Sequence, residues 1–248
     1  MQMAVDELKL FRQSALGIDY VINERIKIHH PTLNEICDFG EQQYYGMATG
    51  LTCNPSAYKV ALHDMGIDYE TLNDFDFFVM MCQSMPQEST KLLLGDLDLS
   101  RLKPGHNSQT DEIVLCEEED GEPKAVIDRA IYTQMANYIR KIHGFEKKVE
   151  KPADNHTKMY LIERERKRIA RSKKTKYKSL LKPLISSMVN QPGFKYDYTT
   201  VWDLPITVFN DSVSRIQKYL HYVQTMQGAY AGTVDLKKIN TEELNWLN

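Results

Sequence analysis

Apolar residues recur along the chain with two different periods, and the switches between them outline its elements. Ile18, Tyr20 and Ile22, then Ile26 and Ile28, alternate with polar residues on either side of Asn23-Glu24-Arg25, the pattern of a tight β-hairpin. From Thr32 the period lengthens. Thr32 with Glu35 makes a capping box ahead of a helix whose apolar face is Ile36, Phe39, Tyr44 and Met47. Asn54-Pro55 opens a second helix with the face Tyr58, Ala61, Leu62 and Met65, ended by Gly66. Asp74 caps a third, which carries Phe75, Phe78, Val79 and Cys82, and Pro86 stops it and opens a short fourth that ends near Gly95.

Between 95 and 128 the period returns to two. Leu97 and Leu99 alternate with Asp96 and Asp98, and Ile113-Val114-Leu115 and Ala125-Val126-Ile127 flank an acidic stretch with a turn at Asp120-Gly121. This predicts a small two- or three-stranded sheet with an acidic tip, and a loop over Lys103 to Asp111. Helical spacing then resumes. Asp128 caps a helix with Ile131, Met135, Tyr138 and Ile142 inward, ended by Gly144. After a polar loop, a highly charged helix runs from about Asp154 to Arg171, with Met159 and Ile162 as its only apolar face. Tyr177, Leu180, Leu181, Leu184, Ile185 and Met188 stripe the next, despite Pro183. Pro192-Gly193 breaks the chain before the best periodic signal, Ile206, Phe209, Val213, Ile216, Leu220 and Val223. Such a stripe serves a core or a subunit seam, and core packing is the preferred reading. Gly228 and Gly232 mark its end. Asn240-Thr241-Glu242-Glu243 suggests a last short helix ending in Trp246-Leu247.

The expected fold class is therefore α+β, predominantly helical, with a small N-terminal β-hairpin and a small β-sheet insertion near 95–128. Its expected parts are a hairpin and short-helix body over 1–95, a β element over 96–128, and a helical region with a basic arm over 129–248, with one continuous domain as the alternative. The longest apolar run, Phe77 to Cys82, is far short of the ~20 residues of a membrane span. The first residues lack the basic-then-apolar order of a signal peptide. Four dispersed cysteines read as reduced thiols.

Charge changes the picture more than composition does. The net charge of −3 is bland. Yet residues 139–182 hold 16 Lys and Arg against 5 Asp and Glu, a net of +11, and the remainder is −14. A basic arm on an acidic body points to nucleic-acid contact or to self-complementary assembly. Within the arm, Tyr160 and Tyr177 only flank the run Arg164 to Lys178, so base-stacking platforms are missing. Glu163 with Lys167 and Glu165 with Arg168 can pair along the helix, which favours a solvated or protein-binding face.

Candidate chemistry is sparse. No phosphate-binding glycine motif, nucleophile elbow or metal-ligand spacing occurs. His29-His30 reads as a structural pair at a strand end, and Asp96 and Asp98 as the wet face of a strand. An enzyme would need Asp96, Asp98 and Asp128 to converge on a pocket. The expectation is a non-enzymatic protein with no cofactor and no metal.

Several segments carry a resemblance. Pro31 to Ile36, Gly66 to Tyr69, Gly95 to Leu99, Arg140 to Phe145, Asn190 to Phe209 (with Val201 to Ile206 inside it) and Glu243 to Leu247 are similar to landmarks of an uncharacterised family found among the virion structural and assembly genes of tailed bacteriophages of Gram-positive hosts. The opening layout is also similar, more distantly, to tail assembly chaperones and baseplate-hub assembly proteins. The acidic-tipped sheet departs from the simplest chaperones. The resemblance implies a tail-morphogenesis protein in the host cytoplasm during assembly, or in the virion. Its partners would be tape-measure or hub components, with self-association as a further expectation, nucleic acid disfavoured and no membrane. A minor virion component, or a nucleic-acid-associated protein acting through 139–182, are the alternatives. The residues offered for an apolar partner are Phe75, Phe78, Met81 and Met85, with full burial as the competing reading. Those offered for an acidic partner are Arg164, Arg166, Lys167, Arg168 and Arg171.

Overall fold

The computed structural model describes residues 7–107, 110–119, 121–240, 242 and 244–247. Helix dominates, and two small antiparallel sheets accompany it, so the α+β reading holds. A first helix, α1 (Glu7–Ala15), has no counterpart in the apolar pattern and packs on the long C-terminal helix. The hairpin follows as β1 (Tyr20–Val21) and β2 (Lys27–Ile28), with Tyr20 opposite Ile28. Its turn is closed by the Asn23 side chain, which accepts from the Arg25 and Ile26 amides at 2.9 and 2.8 Å.

The capping box at Thr32 and Glu35 forms as expected, but the helix behind it is two. Gly40, at φ +98°, separates α2 (Leu33–Phe39) from α3 (Glu41–Leu51), a conformation that a residue with a side chain resists. A short 3₁₀ helix at Pro55–Tyr58 precedes α4 (Lys59–Asp64). That tighter turn rotates the following helix, so Leu62 points inward as predicted while Ala61 and Met65 face outward and Lys59 is buried. Asn73, rather than Asp74, caps α5 (Asp74–Cys82), and α6 (Gln87–Leu94) ends at Gly95.

The predicted sheet exists with a different first strand. Asp98 accepts from the Ser100 amide and caps a 3₁₀ turn at Leu99–Arg101, so Gly95 to Leu99 is not a strand. Part of the expected loop is instead β3 (Lys103–His106), paired with β4 (Ile113–Glu119), which pairs in turn with β5 (Glu122–Ile127). Gly105 allows that close approach, since a Cβ there would stand 3.1 Å from Cys116 Sγ. Gly121 has the positive φ that the hairpin turn needs, and Asp120 lies outside the described residues.

Asp128 caps α7 (Arg129–His143), accepting from the Ile131 amide at 2.7 Å, and Gly144 closes it in the left-handed region. This helix is the hub of the fold. It packs against α3, α5, β5 and the C-terminal helix, and buries Tyr132, Met135, Tyr138, Ile139 and Ile142. The charged helix α8 (Asn155–Ser172) buries only Ile162. In α9 (Leu181–Val189), Leu181, Ile185 and Met188 are buried, whereas Leu180 precedes the helix and is exposed. The longest helix, α10 (Ile206–Tyr230), buries Ile206 and Phe209 and leans Val213 and Ile216 on the core, while Leu220 is exposed. Past Gly232 the chain folds back, with the Trp246 ring 5.4 Å from Tyr219. The described residues from 242 to 247 form turns, not the expected helix, and Thr241 and Glu243 of the capping box lie outside the described residues.

One hydrophobic cluster runs in sequence from Ile26 to Phe209. A smaller one, of Cys53, Leu62, Tyr69, Phe77 and Ile162, glues α8 to α4. Two histidines are built into the main body. His30 Nε2 stands 2.9 Å from Tyr138 Oη, and His143 Nε2 stands 2.5 Å from Tyr44 Oη.

Candidate partner-binding cleft

Between α4 and α8 lies an open cleft of about 780 Å³. Asn54, outside the lining, ties together the segments of one wall. That side chain accepts from the Ala57 amide and donates to the Lys148 carbonyl at 3.0 Å. Ser56 joins the knot, donating to Asn54 Oδ1 at 2.6 Å and accepting from the Glu150 amide at 3.3 Å. The segment around 148–150 is thereby fastened along the start of the Pro55–Tyr58 turn.

Lys59, rotated inward and only 5% exposed, donates to Glu150 Oε2 at 2.5 Å and to the Ser56 carbonyl. The other carboxylate oxygen of Glu150 takes Arg164 of α8 at 3.4 Å. Glu150 therefore bridges the two walls.

The far face of α8 is held by different contacts. Ile162 enters the smaller cluster, Lys158 reaches Asp68 at 2.5 Å and Glu70 at 2.8 Å, and Arg166 pairs with Asp64 and Glu163. Burial opposes the charge on Lys158, but hydrogen bonds to both carboxylates outweigh it and raise its pKa. With Lys158, Ile162 and Arg166 committed to α4 and the loop after it, helical geometry turns Arg164, Lys167, Arg168 and Arg171 towards the cleft. Arg168 makes a two-toothed pair with Glu165 at 2.6 and 2.8 Å. That bond to Glu165 holds the guanidinium charged and the carboxyl below its ordinary value.

The cleft lining has six cations, Lys59, Lys148, Arg164, Lys167, Arg168 and Arg171, against Glu150 and Glu165, hence a net of +4. Lys167 and Arg171 make no ion pair among the described residues. No aromatic ring is among the lining residues.

Of the five basic residues predicted for an acidic partner, the fold brings Arg164, Lys167, Arg168 and Arg171 together, and diverts Arg166 to Asp64. The contributions of Lys59, Lys148 and Glu150 escaped sequence reasoning. The apolar set is divided by burial. Phe75 and Phe78 are 2% and 0% exposed and pack on Tyr132, with Phe78 stacked at 4.4 Å. The helix α5 lies between both hydrophobic clusters, so Phe75, Phe78 and Cys82 enter one while Phe77 enters the other with Met81 against it. Met85 packs on the main cluster beside Gly50. Phe75 and Phe78 thus take the competing reading, full burial, while Met81 and Met85 are half-buried.

The carboxylates considered for catalysis do not converge. Asp98 and Asp128 are helix caps, and Asp96 lines a separate cleft of about 760 Å³ with Glu35, Asp38 and Glu88. His29 sits between Asp19, at 2.8 Å, and Glu35, at 3.3 Å. No helix among the described residues is long and apolar enough to cross a membrane.

Residues 172–248 match the family model described as the YomV second domain, a phage-associated family, which fits a phage protein. The match begins at the last residue of α8 and takes in α9, α10 and the returning C-terminal segment, so the cleft lies wholly before it. No curated protein and no solved structure matches the chain.

Proposed function

We propose that the protein is a non-enzymatic phage tail-morphogenesis protein that binds other tail proteins during assembly, and that its basic cleft receives an acidic segment of the partner. The observation that carries this reading is the convergence of Arg164, Lys167, Arg168 and Arg171 with Lys59 and Lys148 on one open, rigidly walled cleft. Carboxylates entering it would receive charge-assisted hydrogen bonds, roughly twice as strong as neutral ones. The interspersed Glu150 and Glu165 repel a uniform run of phosphates, and the lining offers no ring for a base to stack on. Both features favour a protein over a nucleic acid. The phage-associated match and the resemblance to assembly-cluster proteins supply the setting.

The experiment is affinity capture from infected cells with tagged wild-type protein and with the triple variant R164E/K167E/R171E, alongside mass spectrometry of purified virions. Tape-measure or hub protein captured by the wild type and lost from the variant is the expected result. Nucleic acid that survives nuclease controls, captured without any tail protein, would refute it.

A further inference from the structure

We infer that a second copy of this chain fills the basic cleft with its β4–β5 hairpin, so that copies join head to tail. This rests on the reading of the cleft as a receptor for an acidic segment, and names that segment.

The charges match. By sequence, residues 117–124 hold Glu117, Glu118, Glu119, Asp120 and Glu122 against Lys124, a net of −4, opposite the cleft's +4. Their distribution matches too. Val114, Leu115, Val126 and Ile127 anchor the hairpin's base in the protein, each at most 4% exposed, whereas the Glu118 side chain is 65% exposed. Three residue pairs extend past the anchored base: Glu117 with Lys124, Glu118 with Pro123 and Glu119 with Glu122. At ~3.3 Å per residue they reach ~10 Å. The cleft face of α8 from Arg164 to Arg171 spans seven helical steps of ~1.5 Å each, again ~10 Å.

Within its own chain the hairpin is directed elsewhere. Glu117 meets Arg25 of the β1–β2 turn at 3.2 Å and Glu118 meets Lys103 of β3 at 3.3 Å, and neither cation lines the cleft. Both pairs are solvent-exposed, and exposed pairs contribute little, so giving them up for a cleft holding unpaired Lys167 and Arg171 costs little. Donor and receptor are different surfaces of one molecule. Each copy therefore offers one of each, and the contact propagates as a ring or an open filament rather than closing as a symmetric dimer.

Sedimentation velocity of the purified full chain tests this with two variants, K167E/R171E in the cleft and E118K/E119K on the hairpin. The wild type should sediment increasingly faster than a monomer as concentration rises at ~50 mM salt, and return to monomer at ~500 mM, where screening length falls to a few ångströms. Each variant alone should be monomeric. An equimolar mixture should form a 1:1 heterodimer and nothing larger, since one partner keeps an intact hairpin and the other an intact cleft. That pairing also reports that both variants are folded. A wild type that stays monomeric overturns the inference, as does a mixture that fails to pair. Loss of self-association with cleft-dependent capture of a tail protein intact would leave the proposed function standing and remove only this step. A short single-stranded oligonucleotide bound by the wild type and lost in K167E/R171E, with the protein monomeric throughout, would also overturn it.

Discussion

Lowering the pH from ~7.5 to ~5 protonates histidines of the unfolded chain but leaves two of the folded ones neutral, and this difference should weaken the protein measurably. His143 is enclosed. Its Nδ1 donates to the Ile139 carbonyl at 2.7 Å, which leaves Nε2 to accept from the Tyr44 hydroxyl at 2.5 Å. Desolvation pushes its pKa from 6.5 down to about 4, outweighing the help that the Ile139 carbonyl gives the charged form. His30, 1% exposed, is also brought to about 4, first by burial and then by repulsion from His29, with Asp19 only partly offsetting. The sign follows from linkage. A histidine with a depressed folded pKa adds stability above its unfolded value, near 6.5, and loses it as pH falls towards 4. At pH 5 the unfolded imidazole is almost fully protonated and the folded one about a tenth so, worth about 2 kcal/mol per histidine and about 4 kcal/mol for the pair. Against the ~5–15 kcal/mol of an ordinary domain that is a large share. Carboxylates do not blur the window. Glu35, whose pKa falls because hydrogen bonds from Thr32 and the nearby His29 outweigh its burial, loses its stabilising effect only below the unfolded carboxylate range, under pH 5. Urea unfolding followed by circular dichroism at both pH values, with the slope held common, measures the difference. The variant H30Q/H143Q should show a much flatter pH response. A wild-type free energy unchanged to within about 1 kcal/mol between the two pH values would refute the reasoning.

Three further substitutions probe the frame around the cleft. Ile162→Ala removes the one buried side chain of α8 and should cost about 2–5 kcal/mol, with amide exchange accelerating first along α8 rather than α7. Glu150→Ala strands the Lys59 ammonium in its buried position and should cost about 3 kcal/mol in thermal or urea unfolding, while K59M/E150M should recover most of it; equal losses in both would contradict the bridge. Glu41 of α3 accepts from the amides of Leu180 and Leu181 at 2.6 and 2.8 Å, so it caps α9 from another helix, and Glu41→Ala should cost about 1 kcal/mol above pH 5. Burial resists the Glu41 charge, but hydrogen bonds from Ser179 and those amides lower its pKa, so the difference between wild type and variant should shrink as pH falls below the ordinary carboxylate range.

Where local chemistry decides an element, the residues announce it. Thr32 with Glu35, Asn54 with Pro55, Asp128 and Gly144 each sit at a helix end that forms where expected, because a cap depends on atoms within four residues. Departures arise where a distant partner arbitrates. Leu97 and Leu99 alternate like a strand, yet both are buried in a turn because Asp98 finds the Ser100 amide and β4 finds Lys103 to His106 instead. Lys103-Pro104-Gly105-His106 looks like loop, since proline and glycine weaken strands, but on a sheet edge proline needs no ladder donor and glycine lets Cys116 approach. The apolar stripe of α10 promised one seam, and only its first half finds α1 and α7.

The cleft was half legible for the same reason. Helical spacing alone sets Arg164, Lys167, Arg168 and Arg171 on one face of α8, and the expected Glu165–Arg168 pair forms. It does not say which face meets solvent, because a helix with so little apolar surface has no obvious inside. Ile162 decides that by entering the cluster around Leu62 and Tyr69, and Lys158 and Arg166 then take the carboxylates at 68, 70 and 64. Arg166 was thereby removed from the basic set, and Lys59 and Lys148, 89 residues apart in sequence, were brought to one wall through Asn54 and Ser56. The net charge of the cleft is thus a tertiary property. A basic run read from sequence overstates what the cleft holds, since Lys158 and Arg166 are spent on carboxylates elsewhere, and of the cations lining the cleft Lys167 and Arg171 make no ion pair among the described residues, so their reversal should matter most for binding.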